Sequence, residues 1–274
     1  MTRQEFLLVG LGLFLSSYHP IPPAQVQEEI EMTILATDTL TITILYDNNP
    51  YDPRLSSAWG FAALVEYHKQ KLLMDTGGDG QVLLSNMSHL GVDLLSIEYV
   101  LLSHAHGDHT GGLNALLAAG ARPTVYLLSS FPSVFKRQVA SLTKVVEVGP
   151  GQPLGEGLFT TGAMDGGIHE QALVVQSKRG LVVITGCAHP GVASMMARAK
   201  ALFGDPVYFV MGGFHLGGKS KSEIAAILAE FRQLGVKQVV PCHCTGDLAS
   251  AMFATEYGDD FIRAGVGRAI TFEL

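Results

Sequence analysis

The stretch LLSHAHGDHTGG, residues 101–112, places three histidines and one aspartate within six consecutive positions. It continues the apolar run IEYVLL, which predicts a buried strand that leads directly into these polar residues. Glycines at positions 107, 111 and 112 let the backbone approach other groups closely and then begin a helix. Neutral imidazoles and a carboxylate are suitable ligands for zinc and related cations. The stretch therefore predicts part of a metal site at the end of a strand.

Three later apolar runs end in the same way, with ligand-type residues directly after a predicted strand. The motif GCAHPG follows LVVIT and contains Cys187 and His189. The motif GGFHLGG follows VYFVM and contains His215, and PCHCTG follows a short valine run and contains His243. A zinc site takes three or four ligands, so a single loop rarely completes one. The recurrence predicts a shared metal pocket at one edge of the sheets.

The residues of this pocket have different expected roles. His189 and His243 are predicted ligands, whereas His215 is either a ligand or a group that contacts substrate or orients a ligand. Cys187 is placed to bind a second metal ion as a thiolate, and a buried thiol is the alternative. Asp75, in LLMDTGG, also ends an apolar strand, and we expect it to orient a ligand rather than to bind metal.

Two further features near the pocket leave alternatives open. The loop NNPYDPRLSSAWGF contains the single tryptophan, Trp59. Trp59, Tyr51 or Arg54 could contact substrate from a loop over the pocket, and packing within the loop is the alternative. His169, in GGIHEQAL, precedes a predicted strand and is either a site residue or a surface residue.

The remainder of the chain predicts an α+β domain over residues 28–274. The chain has 274 residues, of which 47% are hydrophobic, which is enough for a core. Strand-like runs come first and then alternate with helices, which favours two sheets packed face to face with helices outside. The clearest helix is SKSEIAAILAEFRQLG, where Ser220 and Glu223 match a capping box and Gly235 fits the C-terminal cap. The net charge is -7 and no basic stripe is present, so a nucleic-acid partner has no support.

Residues 1–27 predict a signal peptide. Residues 6–15 form an apolar run that is too short to span a bilayer but has the length of a signal-peptide core. We therefore expect export to the periplasm or the medium, with no stable membrane span in the mature chain. A short N-terminal helix of a cytoplasmic protein and an uncleaved membrane anchor are the alternatives.

The motifs DTGG, HAHGDHTGG, GCAHPG, GGFHL and PCHCTG together resemble the metallo-β-lactamase fold superfamily, over about residues 33–274. The last three are similar to those of a subgroup named for a dihydropterin–ribofuranosylaminobenzene phosphate synthase, which condenses a pterin. The resemblance implies a four-layer αββα sandwich with one or two metal ions, usually zinc, with iron or manganese as alternatives.

The resemblance also implies a ligand set. His104 and His106 would bind the first metal ion. Asp108 and His109 would bind the second, with His243 as a late ligand. Cys187 falls where many relatives carry an aspartate, and His189 supplies an imidazole that other relatives take from elsewhere.

Three functions are compatible with these residues. The leading interpretation is a hydrolase that uses metal-bound hydroxide on an ester, lactone, amide or phosphoester. In it Asp108 orients the water and His215 stabilises the developing oxyanion. A transferase that condenses a pterin diphosphate with an aromatic amine is the alternative, and a non-catalytic metal-binding protein is the third. A small molecule is the expected substrate, and the sequence predicts neither its identity nor the oligomeric state.

Overall fold

Two β-sheets form the centre of the fold, which a computed structural model describes for residues 39–273. The predicted signal peptide at residues 1–27 lies outside the described residues. Within them, the first sheet has seven strands in the order β15-β1-β2-β3-β4-β5-β6. Its strands are β1 (Thr39–Tyr46), β2 (Ala62–Tyr67), β3 (Gln70–Met74), β4 (Tyr99–Leu101), β5 (Thr124–Leu127), β6 (Val145–Glu147) and β15 (Ala269–Glu273).

The second sheet has six strands among the described residues, in the order β14-β13-β12-β11-β8-β7. Its strands are β7 (Pro153–Gly155), β8 (Leu158–Thr160), β11 (Leu173–Ser177), β12 (Gly180–Thr185), β13 (Val207–Gly213) and β14 (Gln238–Cys242). A separate short hairpin joins β9 (Met164–Asp165) to β10 (His169–Glu170).

Parallel strands lie in one part of each sheet, and the polar motifs follow them. Strands β3 to β6 pair in parallel, as do β12, β13 and β14. Asp75 follows β3, the histidine-rich stretch follows β4, and Cys187 follows β12. His215 and His243 follow β13 and β14. Because parallel strands end at the same edge of a sheet, these loops meet there, as predicted.

Helices cover the outer face of each sheet. The described helices are α1 (Gly80–His89), α2 (Gly107–Thr110), α3 (Leu113–Ala118), α4 (Ser133–Ala140), α5 (Val192–Phe203), α6 (Lys221–Leu234) and α7 (Asp247–Tyr257). Residues of α1, α3 and α4 pack with the first sheet, and residues of α5, α6 and α7 pack with the second. A third apolar cluster joins the two sheets, for example Leu101 of β4 with Val182 of β12 and Met211 of β13. The predicted four-layer α+β sandwich is therefore confirmed.

Helix α6 forms where its sequence signals predict it. The Ser220 side chain accepts from the Glu223 N–H while the Glu223 side chain accepts from the Ser220 N–H, completing the capping box. Gly235 ends the helix at φ 88°, a left-handed conformation that suits glycine. Ile224, Leu228 and Phe231 form its buried face. No helix among residues 39–273 is long and apolar enough to cross a membrane.

Candidate metal centre

The loops after the parallel strands bring the predicted ligands into contact. His104 Nε2 lies 3.1 Å from His106 Nδ1. His109 Nε2 lies 3.2 Å from Cys187 Sγ, although the two residues come from different sheets. The rings of His104 and His189 have their centroids 4.7 Å apart. The chain therefore concentrates nitrogen and sulfur donors at one point.

Two groups of donor atoms share Cys187. The donor atoms of His104, Cys187 and His189 all lie within 4.8 Å of one another. The same holds for the donor atoms of His109, Cys187 and His243. The Cys187 sulfur is therefore common to both groups, and it could serve as a ligand in either of them.

His106 and Asp108 border the two groups. The ring centroids of His106 and His189 lie 5.0 Å apart, which places His106 beside the first group. Asp108 Oδ2 lies 3.3 Å from His243 Nε2 and 3.8 Å from His109 Nε2, beside the second. The imidazole of His243 beside it holds the pKa of Asp108 well below its usual range, so the carboxylate stays ionised. All seven predicted metal ligands thus lie in one cluster.

The donor atoms fit a metal ion. His243 Nε2 is buried and makes no hydrogen bond, because the nearby Asp108 oxygen lies outside hydrogen-bonding geometry. A buried polar atom without a partner is costly, and a bound cation would satisfy it. Burial and the neighbouring His109 lower the pKa of His104 to about 2, which keeps its imidazole in the neutral, metal-binding form.

Four of the histidines each form a hydrogen bond from Nδ1 to a residue outside the predicted ligand set. This contact places the proton on Nδ1 and leaves Nε2 free to bind metal, as outer hydrogen bonds do in metal sites. The pairs are His104 with Ser103 Oγ at 2.8 Å, His109 with Asp75 Oδ2 at 2.7 Å, His189 with Glu170 Oε2 at 2.8 Å, and His243 with Asn48 Oδ1 at 2.9 Å.

Asp75 has the orienting role that the sequence predicts. Its Oδ1 accepts the Ser103 N–H at 2.7 Å, and its Oδ2 accepts the Ser103 hydroxyl at 2.7 Å. The same Oδ2 accepts from His109 Nδ1. Because the Ser103 hydroxyl donates to Asp75, it is left as the acceptor for His104 Nδ1. One buried carboxylate therefore orients two predicted ligands.

Glu170 is the functional residue that sequence reasoning missed. Its fully buried carboxylate accepts four backbone N–H groups of the loop that carries Cys187 and His189, and also the His189 ring. The backbone donors are Gly186 at 3.1 Å, Cys187 at 2.8 Å, Ala188 at 2.8 Å and His189 at 2.9 Å.

Burial alone would raise the pKa of Glu170, but these contacts outweigh it. The His189 hydrogen bond and the backbone N–H groups hold the pKa at about 2. The carboxylate is therefore ionised at neutral pH and fixes the loop around it. Its sequence context, GGIHEQALVV, contains no pattern that identifies this carboxylate. The neighbouring His169 is exposed and belongs to none of the donor groups among the described residues.

His215 lies beside the two groups rather than within them. Its ring centroid is 4.6 Å from that of His189, and its donor atom joins those of Cys187 and Cys244 in a third group within 4.8 Å. A Cβ on Gly213 would lie 2.7 Å from Cys244 Sγ, so glycine lets this thiol approach. The contact between the two thiols lowers the pKa of Cys244 and raises that of Cys187.

Two neighbouring cavities, which share Gly217 in their walls, border the centre. The larger, of about 690 Å³, includes His189 and His215 in its wall together with Phe214, Lys219 and Ile227. The smaller, of about 260 Å³, is lined by residues that include His243, Trp59, Asn48 and Asp247. The first cavity reaches the group that contains His189, and the second reaches the group that contains His243.

A model of the metallo-beta-lactamase superfamily matches residues 60–199, which is just over half of the 274 residues. The chain belongs to the metallo-beta-lactamase superfamily. The solved structure of Tm1679, described as a metal-dependent hydrolase of the beta-lactamase superfamily, is 29% identical with a TM-score of 0.74. That match covers 86% of this chain and 100% of the other. The metallo-beta-lactamase fold protein YhfI from Bacillus subtilis, 16% identical with a TM-score of 0.62, shows the same fold; it covers 86% of this chain and 100% of that one.

One curated relative, from Methanocaldococcus jannaschii, matches over nearly its whole length. It is named 7,8-dihydropterin-6-methyl-4-(beta-D-ribofuranosyl)-aminobenzene-5'-phosphate synthase. The identity is 29%, over 88% of this chain and 99% of the relative. The subgroup resemblance stated from the motifs is therefore confirmed.

The hydrolase interpretation of the sequence is wrong, because this full-length relative is a synthase. The physical reason is that ligand motifs define the metal-binding donors but not the nucleophile. A metal ion held by the same imidazoles could promote attack by water or by an amine. Substrate choice depends on the side chains that line the two cavities, and these include residues next to the ligand motifs, such as Lys219 and Asp247, as well as the motif residues themselves.

Proposed function

We propose that this chain is a metal-dependent transferase that joins a pterin bearing a diphosphate on its methyl carbon to an aromatic amine. The name of the Methanocaldococcus jannaschii relative describes the product of such a joining reaction. The observation that carries the proposal is the pair of cavities at one centre, of about 690 and 260 Å³. A reaction between two organic substrates needs two binding sites, whereas hydrolysis needs one binding site and a water molecule.

Seven residues would hold the metal. His104, His106 and His189 surround the first position, and Asp108, His109 and His243 surround the second, with Cys187 between them. Zinc is the proposed ion, because imidazole nitrogen and thiolate sulfur are its usual ligands. When bound, the ions supply positive charge that stabilises the negative charge developing on the diphosphate.

The reaction balances without a redox step. The bond between the pterin methyl carbon and the diphosphate oxygen breaks, and the diphosphate leaves with the electron pair. A bond forms between that carbon and the amine nitrogen, which then loses one proton.

His215 is the proposed acceptor of this proton. It is exposed and lies in the wall of the larger cavity, 4.6 Å from the ring of His189. An imidazole can accept a proton near neutral pH. The role assigned to His215 in the hydrolase interpretation, stabilisation of an oxyanion, is replaced by this one. Asp108 remains a proposed ligand, with its negative charge facing His243.

The larger cavity is the proposed place for the amine. Its wall combines the apolar Phe214 and Ile227 with the ammonium group of Lys219. Apolar side chains suit an aminobenzene ring, and a lysine suits a phosphate carried by the same molecule. Lys219 Nζ lies 3.5 Å from Glu223 in an exposed ion pair. Such pairs contribute little stability, so a phosphate can replace Glu223 as the partner of Lys219 at small cost.

The experiment is a two-substrate incubation with zinc-loaded protein. The substrates are 6-hydroxymethyl-7,8-dihydropterin diphosphate and ribofuranosylaminobenzene 5'-phosphate labelled with ¹⁵N in the amine, and the products are separated and weighed by mass spectrometry. We expect a coupled product that retains the label. His106→Ala should abolish it, whereas His89→Ala, an exposed histidine that contacts the Ser85 carbonyl on α1, should not. Absence of any labelled coupled product from the wild type overturns the proposal.

A further inference from the structure

Trp59 is held beside the metal centre with most of its side chain exposed. Its ring centroid lies 4.6 Å from that of His243, at an angle of 55°. The residue is nevertheless 60% exposed, which is high for a large aromatic side chain. Because most of the indole is exposed, it contributes little to the hydrophobic core. Packing therefore does not explain its position.

The backbone on both sides of Trp59 is fixed. The Ala58 N–H donates to the Asp47 carbonyl at 3.1 Å, and the Phe61 N–H donates to the Asp108 carbonyl at 3.3 Å. Gly60 packs so closely on Asp108 that a Cβ would lie 2.4 Å from the same carbonyl oxygen. The backbone that carries the exposed indole is therefore fixed to the loop that contains Asp108.

The other side chains of this loop that could have contacted substrate have partners elsewhere. Tyr51 accepts a hydrogen bond from Arg268, whose guanidinium also lies 5.0 Å from the Tyr51 ring centroid. Arg54 pairs with Asp52 at 2.5 Å. Of Trp59, Tyr51 and Arg54, the tryptophan is the one whose ring lies against the centre.

An aspartate without a partner lines the same cavity as Trp59. Asp247 is the first residue of α7, is exposed, and makes no hydrogen bond or ion pair with any residue from 39 to 273. Its two carboxylate oxygens can accept two parallel N–H groups at once. An acidic residue is also favourable at a helix N-terminus, which is the structural role that the experiment must separate from ligand binding.

A pterin ring presents the groups that match these two side chains. Its bicyclic face is planar and stacks on an indole. Its pyrimidine edge carries a ring N–H and an amino group side by side, the arrangement that a carboxylate accepts in two parallel hydrogen bonds. The larger cavity offers the amine substrate more room and a lysine.

We propose that the cavity lined by Trp59 and Asp247 binds the pterin ring, which stacks on Trp59 and pairs its aminopyrimidine edge with Asp247. This inference rests on the proposed function and specifies where one of its two substrates lies. The methyl carbon of a pterin held there points to a centre that His243 borders, and the amine approaches from the cavity that His189 and His215 border.

The test uses the fluorescence of the single tryptophan, which reports Trp59 alone. Metal-free full-length protein is titrated with 6-hydroxymethylpterin, and we expect saturable quenching. 6-Hydroxymethyllumazine (called lumazine below), which differs only by an oxygen in place of the 2-amino group, should bind at least about fivefold more weakly. This comparison needs no variant, so it holds even if a substitution impairs folding.

Variants then separate the two contacts, with binding followed by calorimetry. Asp247→Asn should weaken 6-hydroxymethylpterin binding about tenfold or more and remove the preference over lumazine. Trp59→Leu should weaken both ligands at least about fivefold, and Trp59→Phe should restore most of the loss. Asp259→Asn, an exposed aspartate outside both cavities, is the matched control and should bind like the wild type.

The outcomes distinguish this inference from the proposed function. Binding without quenching, or equal binding of 6-hydroxymethylpterin by Asp247→Asn and the wild type, overturns the placement. If the coupled product forms and Asp247→Asn leaves its KM for the pterin unchanged, the transferase stands and the placement falls. If 6-hydroxymethylpterin binds as expected but no coupled product forms, the placement stands and the transferase falls.

Discussion

Cys187 Sγ lies 3.2 Å from His109 Nε2 and belongs to both groups of donor atoms at the centre. Cys187 follows a strand of the second sheet, whereas His109 follows a strand of the first. The contact therefore joins the two halves of the sandwich at the point where their ligand loops meet. If both groups hold metal, we expect the shared sulfur to couple the two positions.

Cys187→Ser should reduce the metal bound per chain from two ions to one or fewer, because a hydroxyl is a poor bridging ligand compared with a thiolate. In cobalt-substituted protein, the sulfur-to-metal charge-transfer absorption should fall in the same variant. Metal analysis and near-ultraviolet absorption measure the two effects. Cys242→Ser is the matched control, because Cys242 is equally buried and belongs to none of the donor groups among the described residues. Equal metal content in Cys187→Ser and the wild type would contradict the shared position.

Glu170→Gln should destabilise the metal-free protein by about 2–4 kcal/mol, because an amide places N–H donors against four backbone N–H groups and removes a buried charge that they solvate. Urea unfolding of both proteins measures the difference. Metal affinity should also fall about 10–100-fold, since the His189 ring loses its acceptor. Glu156→Gln, an exposed glutamate, should change neither quantity. A variant as stable as the wild type would show that the loop does not depend on this carboxylate.

The pH dependence of stability should report the same carboxylate. Folding lowers the pKa of Glu170 from 4.5 to about 2, so the ionised form favours the folded state. Its contribution, about 3 kcal/mol at most, is complete above pH 4.5 and is lost as the pH falls toward 2. The difference in unfolding free energy between the wild type and Glu170→Gln, both metal-free, should therefore shrink over this range. A difference that stays constant from pH 6 to pH 3 would assign it to packing instead.

Gly213→Ala should separate the loops that carry Cys187 and Cys244. The added Cβ would lie 2.5 Å from the Gly186 carbonyl oxygen and 2.7 Å from Cys244 Sγ, closer than real contacts allow. We expect a loss of about 1–3 kcal/mol in unfolding free energy together with reduced metal content. Gly149→Ala is the control, because a Cβ there meets nothing within 4 Å. Unchanged stability and metal content in Gly213→Ala would mean that the loops accommodate the methyl group.

The sequence predicted the sandwich and the ligand cluster for one physical reason. Parallel strands end at a common edge, so ligand-type residues such as His104, Cys187 and His243 after buried strands had to meet. The groups behind the ligands could not be predicted in this way. Glu170 lies on a two-residue strand and binds backbone N–H groups, which leave no trace in a side-chain pattern. Asn48 orients His243 from 195 residues away.

The ligand motifs could not distinguish a hydrolase from a synthase, for a related reason. Substrate choice depends on the cavity walls, and side chains that distinguish the walls, such as Lys219 and Asp247, lie just beyond the ligand motifs and are not part of the metal-binding pattern. From the sequence, Trp59 could contact substrate or could equally pack within its own loop. The contact of Trp59 with His243 is visible only in the three-dimensional structure.

The most direct test of the account is the release of diphosphate from 6-hydroxymethyl-7,8-dihydropterin diphosphate by zinc-loaded protein, measured with and without the aromatic amine. We expect release to require the amine and to equal coupled product one for one, and we expect removal of the metal by a chelator to stop both. Release at the same rate without the amine, with free hydroxymethylpterin as the product, would contradict the account.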